Sequence, residues 1–242
     1  MTTPTPGRAS SRTPNAMATS PVRMYIARVP AVSPLPNPLA ISTMPPAIAQ
    51  IPMTSTSTSA VRAGMAAELL GAYRDGRARI AIGRASDYYG PDGTGSVAGD
   101  TVFGRILAGK KPQWPGRLDQ PHTFQFLPDI ARGLLVLAGH READGQIWHL
   151  PAAGPLTAQQ FFDMVAKAAG RPVPVHASVA SPALLAAAGV FSPLLREMRE
   201  TAYQFRAPFV IDSSKFDAAF GRLEPTPHRD AVAQTVAWYR SR

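Results

Sequence analysis

A chain of 242 residues with 45% hydrophobic side chains can form one large domain or two small ones around a real core, and its lack of cysteine excludes disulfides, thiolate metal sites and a cysteine nucleophile. No apolar run approaches the length of about 18 residues that a membrane span needs, and the prolines near the start interrupt every candidate secretory signal, so a reducing cytoplasm is the expected compartment. The formal net charge of +9 is lopsided: residues 1–67 hold five arginines and no acid, the first carboxylate is Glu68, and +4 remains for residues 68–242. Those arginines are scattered among Pro, Ser and Thr without clustering or interleaved aromatics, so neither nucleic acid nor a membrane is expected as a partner.

Residues 1–58 hold eleven of the 25 prolines and show no sustained period of 3.6 or 2. Such a segment cannot bury enough apolar surface to offset its ordering entropy, so a disordered N-terminal segment is expected. Its acid-free, Arg/Ser/Thr-rich composition resembles an organellar transit peptide, and equally suits a solvated tail or coding sequence foreign to the domain. Ser59 is a plausible N-cap for a helix to about residue 74, with Val61, Met65, Leu69 and Tyr73 at helical spacing. Asp75-Gly76 breaks that pattern ahead of a strand over about 79–82.

A Gly-rich loop from Gly90 to Gly99 leads to a helix expected over 101–108; its glycine spacing fits neither a P-loop nor the dinucleotide fingerprint. Residues 110–127 read as irregular, with a turn at Trp114-Pro115-Gly116 and a short extended piece over 123–127. Pro128 and Asp129 then open a helix with Ile130, Leu134, Leu135 and Leu137 on its apolar face. A short buried strand is expected over 146–150, and Thr157 with Gln160 forms a capping box for a helix over 157–169 closed by Gly170. Further helices are expected over 182–188, 193–205, 215–220 and 227–240, with a strand at 209–211. Strands alternating with helical patterns predict an α/β domain with a parallel sheet.

Residues 80–91, Ile-Ala-Ile-Gly-Arg-Ala-Ser-Asp-Tyr-Tyr-Gly-Pro, carry the strongest functional signal. A buried strand ends there in a polar segment, and ligands of open α/β sheets sit beyond the carboxyl ends of strands. Arg84, Ser86, Asp87 and Tyr88 are therefore the candidate site residues. The same residue types also suit plainer roles: Ser86 and Asp87 as turn caps, Tyr88 and Tyr89 as packing residues, and Asp129 as the acidic first turn of a helix.

Four segments in order resemble the C-terminal part of an extended short-chain dehydrogenase/reductase, the NAD-dependent epimerase/dehydratase family, over about residues 59–242. They are the Arg-x-Ser-Asp-x-Tyr-Gly-Pro stretch at 84–91, the run from His122 to Asp129, the strand Ile147-Trp-His-Leu150 with its capped helix, and the tail from Asp212-Ser-Ser-Lys215 to Trp238-Tyr239. The resemblance implies a partial Rossmann-like parallel sheet, a mostly helical C-terminal substrate-binding region, and NAD or NADP as cofactor. It places Ala85 and Ser86 at cofactor contacts and Asp87, with Tyr88 beside it, at the substrate. His122 falls where relatives carry a basic side chain for substrate phosphate, with Arg84 as the nearby alternative. No metal is implied.

The departures from that family are chemical. Residues 1–58 contain one glycine, Gly7, so the glycine-rich turn that holds the pyrophosphate is missing, which argues against cofactor binding by this chain alone. Relatives carry a Tyr-x-x-x-Lys pair on the helix before the sixth strand, and here Thr58 and Arg62 stand at those positions. A threonine hydroxyl beside an arginine that never releases its proton does not make a tyrosinate base. Three readings follow: an oxidoreductase or epimerase for a small alcohol, ketone or sugar, impaired as this chain; a non-catalytic ligand- or protein-binding module of the same fold; or a coding start that omits an upstream Rossmann half. An incomplete sheet exposes an edge and apolar surface, so poor solubility or a homo-oligomer is expected.

Overall fold

The structure, a computed structural model, describes residues 23–29, 58–179 and 202–242. Strand β1 spans Arg23–Val29, helix α1 Thr58–Arg74 and strand β2 Arg79–Ala85. β2 is the centre of a three-stranded sheet: β7, Ile147–His149, runs parallel to it on one side and β1 antiparallel on the other. Apolar residues on both faces of β2 let it feed two cores, as parallel strands do. Ile80 and Ile82 pack with Ala66 and Leu70 of α1. Ala81 and Ala85 pack with Ile130 and Leu137 of helix α3, Leu127–Gly139, on the other face. Between the latter two, a Cβ on Gly83 would lie 2.8 Å from Leu134 Cδ2, so glycine is what lets α3 approach the sheet this closely.

Within residues 1–58, expected to be disordered, the structure describes one element, strand β1. The stretch Met24-Tyr-Ile-Ala-Arg-Val29 has strand-forming side chains and neither Pro nor Gly, and Pro21 and Pro30 bracket it. The rest of that segment lies outside the described residues, as do the expected helix over 182–188 and most of that over 193–205. α1 has its expected span but buries Ala66 and Leu70, whereas Val61 and Met65 are 54% and 46% exposed. Its apolar residues cover too much of the helix circumference for periodicity to select the buried stripe. Leu135 of α3 is likewise exposed.

A second layer packs beyond β2. Strand β3, Asp87–Tyr89, pairs in parallel with β6, Phe124–Phe126. β5, Pro121–His122, pairs antiparallel with β8, Leu156–Thr157. β4, Gln113–Trp114, pairs in parallel with β9, Ser178–Val179. Helix α4, Ala158–Ala168, carries the full capping box, with Thr157 and Gln160 each bonding the other's backbone N–H. Phe161, Phe162 and Val165 of α4 join Phe103, Trp114, Phe124 and the Val232 and Val236 of helix α6, His228–Arg240, in the largest apolar cluster. The helix expected over 101–108 is a π-helical turn, Gly99–Gly104, continued by the short α2, Arg105–Leu107. The expected strand at 209–211 reduces to one bridge between His122 and Phe209, and α5 spans Ser214–Phe220. Among the described residues no helix is long and apolar enough to cross a membrane.

Candidate functional site

The chain leaves one sheet and enters another at Ser86, between β2 and β3. This pivot is fully buried, and a side-chain amide holds it. Gln125 Oε1 accepts from the Ser86 backbone N–H at 2.6 Å, while its Nε2 donates to the carbonyls of Leu150 and Pro151 at 2.9 and 3.0 Å. One glutamine therefore joins β6 to the carboxyl ends of the parallel strands β2 and β7, where open α/β sheets bind ligands. The Ser86 hydroxyl is buried there with no hydrogen-bond partner among the described residues.

One residue on, Asp87 meets His122. Their side chains are 2% and 3% exposed, and His122 Nε2 lies 2.8 Å from Asp87 Oδ2. The pairing follows from register: Asp87 stands opposite Phe124, and His122 lies two residues before it on the same face. Four aromatic rings surround the imidazole. Phe205 stacks on it at 5.8 Å with planes 10° apart, Trp114 stands edge-on at 5.6 Å, and Phe124 and Phe209 tilt against it at 5.0 and 5.5 Å. A carboxylate–imidazole pair in such a box orients the ring and can hold a proton away from bulk water.

The other expected site residues sit elsewhere. Strand alternation puts Arg84 on the α1 face of β2 with Ile80 and Ile82, opposite Ala81 and Ala85, so it does not converge with the Asp87–His122 pair. Ala85 is fully buried beside α3, and Tyr88 is 8% exposed within the same apolar cluster. Asp129 staples the structure: its carboxylate accepts from Arg132, from the Thr226 backbone N–H at 2.7 Å and from the Thr226 hydroxyl at 2.8 Å. Thr226 thus serves Asp129 and does not cap α6.

Two residues that the sequence did not single out complete the polar interior. Besides Gln125, His228 accepts at Nδ1 from the Tyr89 hydroxyl at 3.0 Å and donates from Nε2 to the Gly154 carbonyl at 2.8 Å, which sets a neutral tautomer. Burial holds His228 below the usual histidine range and, with a smaller push from Asp129, holds the Tyr89 phenol far above its own. Tyr89 therefore remains a hydroxyl donor.

A dinucleotide's phosphates need a glycine-rich strand-to-helix turn of set spacing; β6 enters α3 through Leu127-Pro128, β8 enters α4 at Thr157, and the Gly90–Gly99 loop between β3 and the π-helical turn lacks that spacing. The edge of β2 away from β7 carries the antiparallel β1. Thr58 opens α1 with Arg62 one turn later, so the helix lies where the resemblance implies but lacks the tyrosine–lysine pair. Among the described residues no cluster of three or more His, Asp or Glu is placed to hold a metal ion.

No protein-family model matches the chain, and no curated protein matches it. Solved structures do. It is similar to the epimerase Mth375 from Methanothermobacter thermautotrophicus with a TM-score of 0.57 and 14% identity, over 76% of this chain and 49% of that one. It is similar to a nucleoside-diphosphate-sugar epimerase from Pseudomonas aeruginosa at 0.55 and 16%, over 79% and 58%. It is also similar to RMD from Pseudomonas aeruginosa in complex with NADPH at 0.54 and 14%, over 76% and 56%. The chain spans about half the length of the solved structures it matches. Its structural neighbours are NAD-dependent epimerase/dehydratase and short-chain dehydrogenase/reductase enzymes, and at these identities the likeness is one of fold.

Proposed function

We propose that the chain is the substrate-side part of an NAD(P)-dependent oxidoreductase or epimerase acting on a small alcohol, ketone or sugar, and that on its own it is impaired in hydride transfer. One observation carries this reading: Ser86 and the Asp87–His122 pair gather where the parallel strands β2 and β7 end. In this reading Ala85 and Ser86 border the nicotinamide, and the dyad holds a proton beside the substrate hydroxyl or carbonyl. Tyr88 packs behind that site in the α3 cluster, and Arg84, on the α1 face of β2, takes no part in it. The cofactor is taken from the neighbours, one of which is bound to NADPH, and its cradle would come from outside the described residues.

The test is fluorescence titration of NADH and NADPH into the 242-residue protein, with nucleotide sugars titrated in parallel. The expected result is saturable sugar binding, weakened in Asp87→Asn and His122→Gln proteins that keep the wild-type circular dichroism, and no micromolar dinucleotide binding. Micromolar NADPH binding would overturn the impairment, and absence of any sugar effect would overturn the substrate-side reading. A second reading, a non-catalytic binding module of the same fold, is favoured by the closure of the dyad from solvent and by Thr58 and Arg62 at the positions of the proton-transfer pair. Ligand binding without turnover under every supply of cofactor is its signature.

A further inference from the structure

A groove of about 290 Å³ opens on a different part of the molecule, where the chain enters β4 and β9. These strands are parallel neighbours, so the loops leading into them arrive from the same side. Each loop is basic: Lys110 and Lys111 follow α2, and Arg171 and His176 precede β9. All four side chains belong to exposed residues and line the groove, with Ile106 and Val175 among its apolar lining. Among the described residues that line it there is no carboxylate.

The loops are held in place. Arg171 Nη2 donates to the Leu107 carbonyl at 2.5 Å, Arg105 Nε donates to the Lys111 carbonyl at 2.5 Å, and the Lys110 backbone N–H bonds the Arg105 carbonyl at 2.8 Å. Gly109 has φ +69°, and a Cβ there would lie 3.6 Å from Arg171 Nη1, so the guanidinium approaches the backbone at a glycine. A guanidinium has five N–H donors, and its planar fork suits a phosphoryl group. Like charges gathered in a concavity repel one another unless an anion sits among them.

We propose that this groove binds a small phosphorylated ligand, with the phosphate dianion held by Lys110, Lys111 and Arg171 and its organic part resting on Ile106 and Val175. The volume lies near the lower end of small-molecule pockets, roughly 300 Å³, which suits a phosphate on a short organic body better than a polymer strand. None of these residues belongs to the Ser86, Asp87 and His122 site, so the inference stands independently of that reading.

The experiment is calorimetric titration of the 242-residue protein with inorganic phosphate and phenyl phosphate at low and high salt. Saturable one-site binding is expected, weakened by salt, with phenyl phosphate the tighter of the two through the apolar floor. The double variant Lys110→Gln/Lys111→Gln should lose about tenfold or more in affinity, as two charge-assisted contacts disappear. The control Arg8→Gln/Arg12→Gln, which lowers the net charge equally, should bind as wild type. No saturation below about 10 mM phosphate would overturn the site, as would equal losses in the two double variants. Equal affinities for the two probes would overturn the role of the apolar floor.

Discussion

Gln125 makes three buried hydrogen bonds with one side chain, to the Ser86 backbone N–H and to two carbonyls at the end of β7. Gln125→Leu keeps the approximate volume and leaves all three backbone groups without this partner, at about 1–3 kcal/mol for each buried group left unsatisfied. A loss of roughly 3 kcal/mol or more in urea unfolding is therefore expected; a change within about 0.5 kcal/mol, the range of surface substitutions, would show that these bonds are dispensable. No signal in the sequence marks Gln125, because a lone amide between Phe124 and Phe126 looks like an ordinary strand residue. Asp87 and His122 were legible as site candidates one at a time. Their contact was not, since it spans 35 positions and exists only through the β3–β6 register. Arg84 is close to Asp87 in sequence, but the alternation of β2 turns it to the α1 face.

At the scale of elements, α6 docks through its first residue. His228 is neutral between Tyr89 and Gly154, and burial lowers its pKa against the weaker upward pulls of the Gly154 carbonyl and the Asp129 charge. The unfolded chain then binds more protons than the folded one near and below the ordinary histidine value of about 6.5, so stability is full above that value and is lost as pH falls through it. Between about pH 7.5 and pH 5 the wild type should lose more stability than His228→Asn, which can still accept from Tyr89 and donate to Gly154. Parallel pH profiles of the two urea midpoints would refute the assignment. Helices with local signals, such as the capping box at Thr157 and the proline at the start of α3, were legible because their determinants lie within one turn. α1 was legible in extent and not in facing, because only the sheet decides which of its apolar residues is covered.

For the whole molecule, the uncovered edges matter most. The outer edge of β1 has no partner among the described residues, and Val61 and Met65 lie one turn apart and exposed on α1. Self-association is the expected outcome, with Val61→Glu/Met65→Glu shifting the protein toward monomer in size-exclusion chromatography with light scattering. A wild-type monomer at all accessible concentrations would contradict it. The α/β class was legible from alternating patterns, whereas β1 was not, since a seven-residue stretch amid prolines has no local signal for its pairing with β2, about fifty residues away in the chain. The Asp129–Thr226 contact joins positions 97 apart and makes the turn before α6 a clasp and not a spacer. Peeling away the last helix would strip a buried carboxylate of two of its donors, so the final fifteen or so residues share the cooperativity of the domain and do not fray as a separate unit.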